Sequence, residues 1–302
     1  MVIQPRVVPR NLEIRRFLKP RMKFSDSDLK QYLKDEKGFK GECYFDSLID
    51  QSPASTYIQL RGLLLQWQNK TFQIDSILIG PHKIYLNDVK TFEGEVYIEG
   101  EQWFYMSGLE INNPLHQLRR SVALFRPLIQ SIGLNLPVEA RAVFVHPEFT
   151  LFQADRNLSI ILPSQLNSYV KRLGSVTADT PLIEAANKLA SLHIQNSPFD
   201  KANIPAYSYE SLKKGIACDK CKTLSIKLDG RKLACSICDY KEDLELGIIR
   251  TVKEHQLLFP ERLITVSGIT DWCGLNIERN RLRLILKAHF QMVGQGKAIH
   301  YI

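Results

Sequence analysis

Two groups of side chains in this 302-residue chain have types and spacings that could do chemistry. The first is Cys218, Cys221, Cys235 and Cys238, two Cys-x2-Cys pairs separated by thirteen residues. Each pair can bend as a tight knuckle so that both thiolates reach one ion, and four thiolates complete the tetrahedron that structural zinc prefers. Protein fills all four positions, so no place is left for a catalytic water, and the expected ion is one structural Zn2+. Asp229-Gly230 between the pairs is a strong hairpin turn, flanked by strand-like residues 223–228 and 231–234. The module reads as a zinc ribbon.

The second group is Gln73-Ile74-Asp75 with Asp88-Val89-Lys90. Residues 71–79 and 83–90 are rich in Ile, Leu, Phe, Tyr and Val and read as strands, with Gly80-Pro81-His82 as the turn. Side chains alternate faces along a strand, so Gln73 and Asp75 share a face, as do Asp88 and Lys90. A hairpin symmetric about Pro81-His82 sets Asp75 opposite Asp88 and Gln73 opposite Lys90. Two carboxylates so placed repel unless something offsets the repulsion. A hard divalent cation such as Mg2+ (or Mn2+) does so, since it takes oxygen ligands from one or two carboxylates together with substrate phosphate. A one-residue slip of register would send one carboxylate to the other face.

The elements that position these residues follow from local patterns. Ser25, Asp26 and Ser27 can cap a helix over residues 29–35 that Lys37-Gly38 ends, and a second helix runs over 42–49. Strands are expected at 57–65, 95–98, 102–105 and 141–145 besides the two above. Asn113-Pro114 starts a helix whose Leu115, Leu118, Val122, Phe125 and Ile129 recur at spacings of three and four. Helices at 163–173 and 181–192 and a polar linker from Gln195 to Asp200 look like a connector.

Composition is that of a globular protein, 44% hydrophobic and 24% charged. No run of about 18 apolar residues is present to span a membrane, and the basic N-terminal segment lacks the apolar stretch of a secretory signal. Cys43 and Cys273 stand apart from the four clustered cysteines, so the six form no secreted disulfide framework. The expected location is cytoplasmic. A net charge of +8 favours a polyanionic partner.

Asp75 and Asp88-Val89-Lys90 resemble the PD-(D/E)xK nuclease core, specifically the nuclease-related domain called NERD. Gly41-Glu42 matches the family's Gly-Glu at the start of its first core helix, and Gln73-Ile74-Asp75 its Gln-Ile-Asp. Phe92-Glu93-Gly94, Trp103 and Asn113-Pro114-Leu115-His116-Gln117 continue the likeness through roughly the first half of the chain. The family usually carries Glu where this chain has Asp88, one methylene shorter. The resemblance implies an α/β, restriction-endonuclease-like mixed sheet flanked by helices over residues 1–155. It also implies catalytic roles for Asp75, Asp88, Lys90, Glu42, Gln73 and Gln117, with Mg2+ or Mn2+ held by Asp75 and Asp88, and Glu42 as a further ligand.

The expected order beyond that domain is a helical connector at 156–214, the ribbon at 215–241 and a small winged helix-turn-helix-like domain at 242–302. In the last, residues 269–274 read as a short helix and turn, and residues 277–287 as a longer helix with Arg279, Arg281, Arg283 and Lys287, the candidate DNA contacts. The ribbon is similar to those of DNA topoisomerases and of some NERD proteins. The function expected is metal-dependent phosphodiester hydrolysis of DNA, in DNA processing or defence against foreign DNA. The alternatives are a catalytically inactive DNA-binding or regulatory protein that keeps a nuclease fold, and an RNA-directed nuclease. DNA is the expected partner, with no membrane, and self-association is left open.

Overall fold

The computed structural model of the protein describes residues 1–195 and 204–302. The linker expected at 195–200 lies, from residue 196 on, outside the described residues. The chain divides into two compact units, Met1–Val8 with Leu33–Asp200 and Pro9–Tyr32 with Lys201–Ile302. Residues 9–32 therefore group with the C-terminal part of the chain, which a division at residues 155, 214 and 241 does not contain. Among the described residues, no helix is long and apolar enough to cross a membrane.

As far as residue 191 the elements run, in chain order, β1 (Val2–Gln4), α1 (Arg10–Leu18), α2 (Asp26–Asp50), β2 (Ile58–Trp67), β3 (Lys70–Ile79), β4 (Ile84–Lys90), β5 (Gly94–Glu99), β6 (Gln102–Tyr105), β7 (Glu110–Ile111), α3 (Pro114–Ser131), β8 (Val138–Phe144), β9 (Phe149–Phe152), β10 (Ile160–Ile161), α4 (Leu166–Leu173) and α5 (Thr180–Ser191). Helix α1 and the first turns of α2 lie in the second unit.

A six-stranded mixed sheet, ordered β1-β2-β3-β4-β8-β10, is the frame. Helices cover both of its faces, which is why Ile77, Leu78 and Ile79 are all buried in succession. Phe125, Leu128 and Ile129 of α3 and Leu182, Ala186 and Leu189 of α5 fill one side. Phe45 and Ile49 of α2 and Leu166, Tyr169, Val170 and Leu173 of α4 fill the other. The helices read as a connector thus belong to the packing of the first unit. A smaller sheet, β7-β6-β5-β9, carries Trp103 and Val96 into a cluster with Phe144 and Phe149.

The two helices expected before the strands are one. Helix α2 runs without interruption through Gly38 and Gly41. A glycine inside a helix costs about 1 kcal/mol relative to alanine, and Gly41 has a packing reason to be there. Its buried Cα lies against Thr91, so an added Cβ would come 2.1 Å from the Thr91 Cγ2.

In the second unit the ribbon strands are β11 (Ile226–Asp229), β12 (Lys232–Cys235) and β13 (Lys241–Asp243), followed by α6 (Leu244–Leu258), α7 (Val266–Cys273), α8 (Arg279–His289), β14 (Met292–Val293) and β15 (His300–Tyr301). The ribbon and the helices share one core: Ile226, Leu233 and Cys235 pack with Ile248, Ile269, Cys273, Leu282 and Leu286. Residues 9–32 contribute Ile14 and Leu18 to a second cluster with Leu258 and Trp272. Arg21 is fully buried there. It bonds Glu254 at 2.5 Å and the carbonyls of Lys213 and Gly215, and lies 4.2 Å from the Trp272 ring.

Candidate active site and metal centre

The hairpin register is the expected one as far as it goes. Ile79↔Ile84, Leu78↔Tyr85, Ile77↔Leu86 and Ser76↔Asn87 pair as symmetry about Pro81-His82 requires. The ladder ends there, one pair short of the carboxylates. Beyond it β3 continues on β2, with Gln73 opposite Leu64, and β4 continues on β8, with Asp88 opposite Ala142 and Lys90 opposite Phe144. Asp75 and Asp88 are therefore not a cross-strand pair, and Gln73 does not face Lys90. The diverging strands are tied by a side chain instead, because Asp75 Oδ2 accepts the Val89 N–H at 2.8 Å.

On β4, Lys90 Nζ lies 2.8 Å from Asp88 Oδ2 and donates to Gln117 Oε1 at 2.9 Å. Gln117 is brought there by the first turn of α3, whose Asn113 side chain caps the helix by accepting the Leu115 N–H at 2.9 Å, with Pro114 at its first position. Asp88 is 9% exposed. Burial and the neighbouring Asp75 push its carboxyl up to about 6, against the pull of Lys90. Asp75 is raised too, by burial above all, against Lys90 and the Val89 amide.

Glu42 enters from α2. Burial, then the charge of Asp75, push its carboxyl up to about 8, with Arg6 pulling the other way. The structure adds two residues that no motif marked, Arg6 and Asp46. Arg6 Nε and Nη2 hold Asp46 Oδ2 and Oδ1 at 2.6 and 3.1 Å, Nη1 bonds Glu42 Oε2, and Nη2 donates to the Asp75 carbonyl at 2.7 Å. That carbonyl is available because the β2–β3 ladder skips the Gly62–Asp75 pair, where Gly62 takes a φ of +66°. Burial opposes the Arg6 charge, but the Asp46 and Glu42 partners outweigh it and hold the guanidinium above its ordinary value. Asp46 follows Glu42 by one helical turn, and two acids at that spacing call for a cation between them. That was the available signal. Nothing about Arg6, one of many cations in the N-terminal segment, marked it out.

Gln73 is exposed and, among the described residues, its side chain bonds to none of this group. The site thus unites Glu42, Asp75, Asp88, Lys90 and Gln117, together with Arg6 and Asp46, and leaves Gln73 outside.

The cysteines are gathered more tightly. Among the described residues, the metal-binding types that come within 4.8 Å of one another in a group of three or more are Cys218, Cys221, Cys235 and Cys238. The two knuckles repeat each other. Cys218 N–H donates to the Thr223 carbonyl and Lys222 N–H to the Cys218 carbonyl; Cys235 N–H donates to the Tyr240 carbonyl and Asp239 N–H to the Cys235 carbonyl. The residue after each second cysteine, Lys222 or Asp239, takes a positive φ of 59° or 55°. The Ile237 and Cys238 amides pull the Cys235 thiol down to about 6, whereas burial holds the Cys218 thiol above its ordinary value. Cys273 is buried in the core apart from them.

Residues 37–145 match the family model of the nuclease-related domain, NERD. All of α2 from Lys37, the β3–β4 hairpin, Gln117 and β8 fall in the matched span, whereas Arg6 and the cysteines fall outside it. The matched family is described as nuclease-related, and the four cysteines could hold a structural metal ion. A comparison with curated proteins finds no match. The crystal structure of protein VC1899 from Vibrio cholerae is similar at 14% identity over 59% of this chain, with a TM-score of 0.24. The chain spans about half of that protein, 52%.

The expected DNA contacts lie on α8. Arg279, Arg283 and Lys287 are exposed and four residues apart, so they line one face of the helix. Arg281 is turned away from that stripe and donates to the Gly230 carbonyl at 3.0 Å.

Proposed function

We propose that the NERD domain is a divalent-metal-dependent phosphodiesterase that cleaves DNA. The observation that carries this reading is the chain Gln117–Lys90–Asp88 beside Asp75 and Glu42, at the point where β3 and β4 diverge. The donor set fits a hard cation: three buried or half-buried carboxylates, each with its proton affinity raised by burial above all and only partly offset by Arg6 or Lys90, offer oxygen to one region. Asp75 and Asp88 would hold the ion, with Glu42 as the further ligand. Bound there, a divalent ion supplies Lewis-acid polarisation of a phosphoryl oxygen and acidifies water.

The chain's own residues supply the rest. Lys90 Nζ, fixed between Asp88 and Gln117, presents a positive charge where the cleaved phosphate gains negative charge. Gln117 orients that amine, and the Asp75 bond to the Val89 amide keeps the strand ends at a set separation. Zinc in the four-cysteine cluster would hold the ribbon to the helices it packs on. Arg279, Arg283 and Lys287 would track the phosphate backbone, raising the local concentration of substrate through the tether.

A second reading, a DNA-binding protein without catalysis, has its own support. The side chain at position 88 is an aspartate, and the carboxylates of Glu42, Asp75 and Asp88 do not all lie within 4.8 Å of one another. Incubation with plasmid, linear and single-stranded DNA and with RNA, in Mg2+ or Mn2+, separates the readings. Cleavage lost in Asp88→Ala and Lys90→Ala supports the first. Cleavage unchanged in both variants sinks the site assignment, and binding without cleavage supports the second reading.

A further inference from the structure

Arg6 sits in surroundings that resemble a cation's coordination shell. Its guanidinium is met by one oxygen of Glu42, both oxygens of Asp46 and the main-chain carbonyl of Asp75. Two carboxylates and a backbone carbonyl are what hard divalent ions recruit from proteins. The group is withdrawn from water, with the Arg6 side chain 5% exposed and that of Asp46 7% exposed. The guanidinium lies against the β2 main chain, with Arg6 Nη1 3.5 Å from where a Cβ on Gly62 would stand, an ordinary contact distance.

Charge leads to the same place. Glu42, Asp46, Asp75 and Asp88 carry four negative charges when ionised, and among the described residues the cations bonded to them are Arg6 and Lys90. Arg61 approaches Asp46 only to 3.7 Å and is bonded to Asp50. The excess is two negative charges, which one divalent ion neutralises and two would overshoot.

We propose that Arg6 is the built-in cation of this site: it occupies the oxygen-lined position between Glu42, Asp46 and the Asp75 carbonyl, and so limits the site to a single exchangeable divalent ion beside Asp75 and Asp88. The inference rests on the nuclease reading for the identity of the exchangeable ion, but not for the role of Arg6. The guanidinium holds Glu42 through Oε2, so Arg6 is a positioning residue for Glu42. A freely exchanging second ion would make that geometry depend on metal concentration; a covalently tethered cation does not.

The test is a count of Mn2+ bound per chain, by electron paramagnetic resonance on zinc-loaded full-length protein, for wild type, Arg6→Met and Arg6→Lys. The expected result is one ion for wild type, one more for Arg6→Met, and no gain for Arg6→Lys, which keeps the charge. Melting curves identify the folded variants. A folded Arg6→Met protein that binds no additional ion overturns the proposal, as does an equal gain in Arg6→Lys. Wild type binding no Mn2+ while Arg6→Met binds one would sink the metal-dependent reading and leave the role of Arg6 standing. Should Arg6→Met fail to fold, anomalous scattering from Mn2+-soaked wild-type crystals decides. One peak near Asp88 with Arg6 still on Asp46 supports the proposal, and a peak between Glu42, Asp46 and the Asp75 carbonyl overturns it.

Discussion

The four cysteines and the four carboxylates are both built to gather like-charged ligands, and they do it by opposite routes. The cysteines come from two copies of one backbone turn, each closed by the same pair of main-chain hydrogen bonds and the same positive φ. Within each copy the ligands are three residues apart in sequence, so local turn geometry nearly suffices. The carboxylates come from α2, β3 and β4, and their cations from the N-terminal segment and from β4. That site exists only when the sheet is assembled. A local centre should therefore lose its metal and its own fold together, and a dispersed centre should lose chemistry while the fold persists.

The largest effect tests the first half of that contrast. Cys235→Ser should reduce zinc from one per chain to near zero, forfeiting much of the ~10–16 kcal/mol that a structural zinc contributes at neutral pH. Because Ile226 and Leu233 pack with Ile248 and Leu286, calorimetry should show the second unit melting early. Zinc retained at one per chain would break the comparison.

Next in size, Lys90→Ala should lower DNA cleavage about 10^2- to 10^3-fold, the usual cost of removing a preorganised charge-stabilising donor. Zinc content and the melting curve should be nearly unchanged. A variant that cleaves poorly because it no longer folds would show the two centres to be more alike than described.

A pH series sharpens the same point. The folded-state carboxyls of Asp88, at about 6, and Glu42, at about 8, stand above their unfolded values of about 3.9 and 4.3. The folded protein thus holds protons that the unfolded chain has released. Without divalent metal, these groups favour folding below about pH 4 and lose that contribution as pH rises to about 8. Bound metal requires the ionised forms, so the rise in melting temperature produced by Mn2+ should be absent at pH 5, develop between pH 6 and 8, and level off above. A shift of equal size at pH 5 would contradict the assignment.

The smallest effects separate Gln117 from Gln73. Removing the Gln117 bond to Lys90 costs about 1 kcal/mol, so Gln117→Ala should slow cleavage roughly five- to tenfold. Gln73→Ala should leave the rate within about twofold, because its side chain faces solvent. Equal losses would restore Gln73 to the site.

These contrasts also explain what could be read from the chain alone. The cysteine ligands and the Asp229-Gly230 turn were legible because spacing and turn chemistry are local. The register of β3 on β4 was legible from the turn, but not where the ladder stops, since that depends on β8 and β2 competing for the same strands. Gln117 was reachable through family likeness only. Asp46 was signalled by its spacing from Glu42, while Arg6 lies 36 residues from its nearest partner in sequence and no periodicity connects them. Gly38 suggested a helix end that α2 runs straight through, and helices α4 and α5 could not be assigned to the first unit without the core they fill.

Gly41 gives the Gly-Glu pair on α2 a meaning different from flexibility. Its missing side chain acts as a spacer of fixed thickness, letting the helix seat directly on Thr91, the residue that follows Lys90. The acid on the helix and the acid and amine on the strand are thereby brought into range by an absence. Adding one methyl there would separate two halves of the site without altering any residue that does the chemistry.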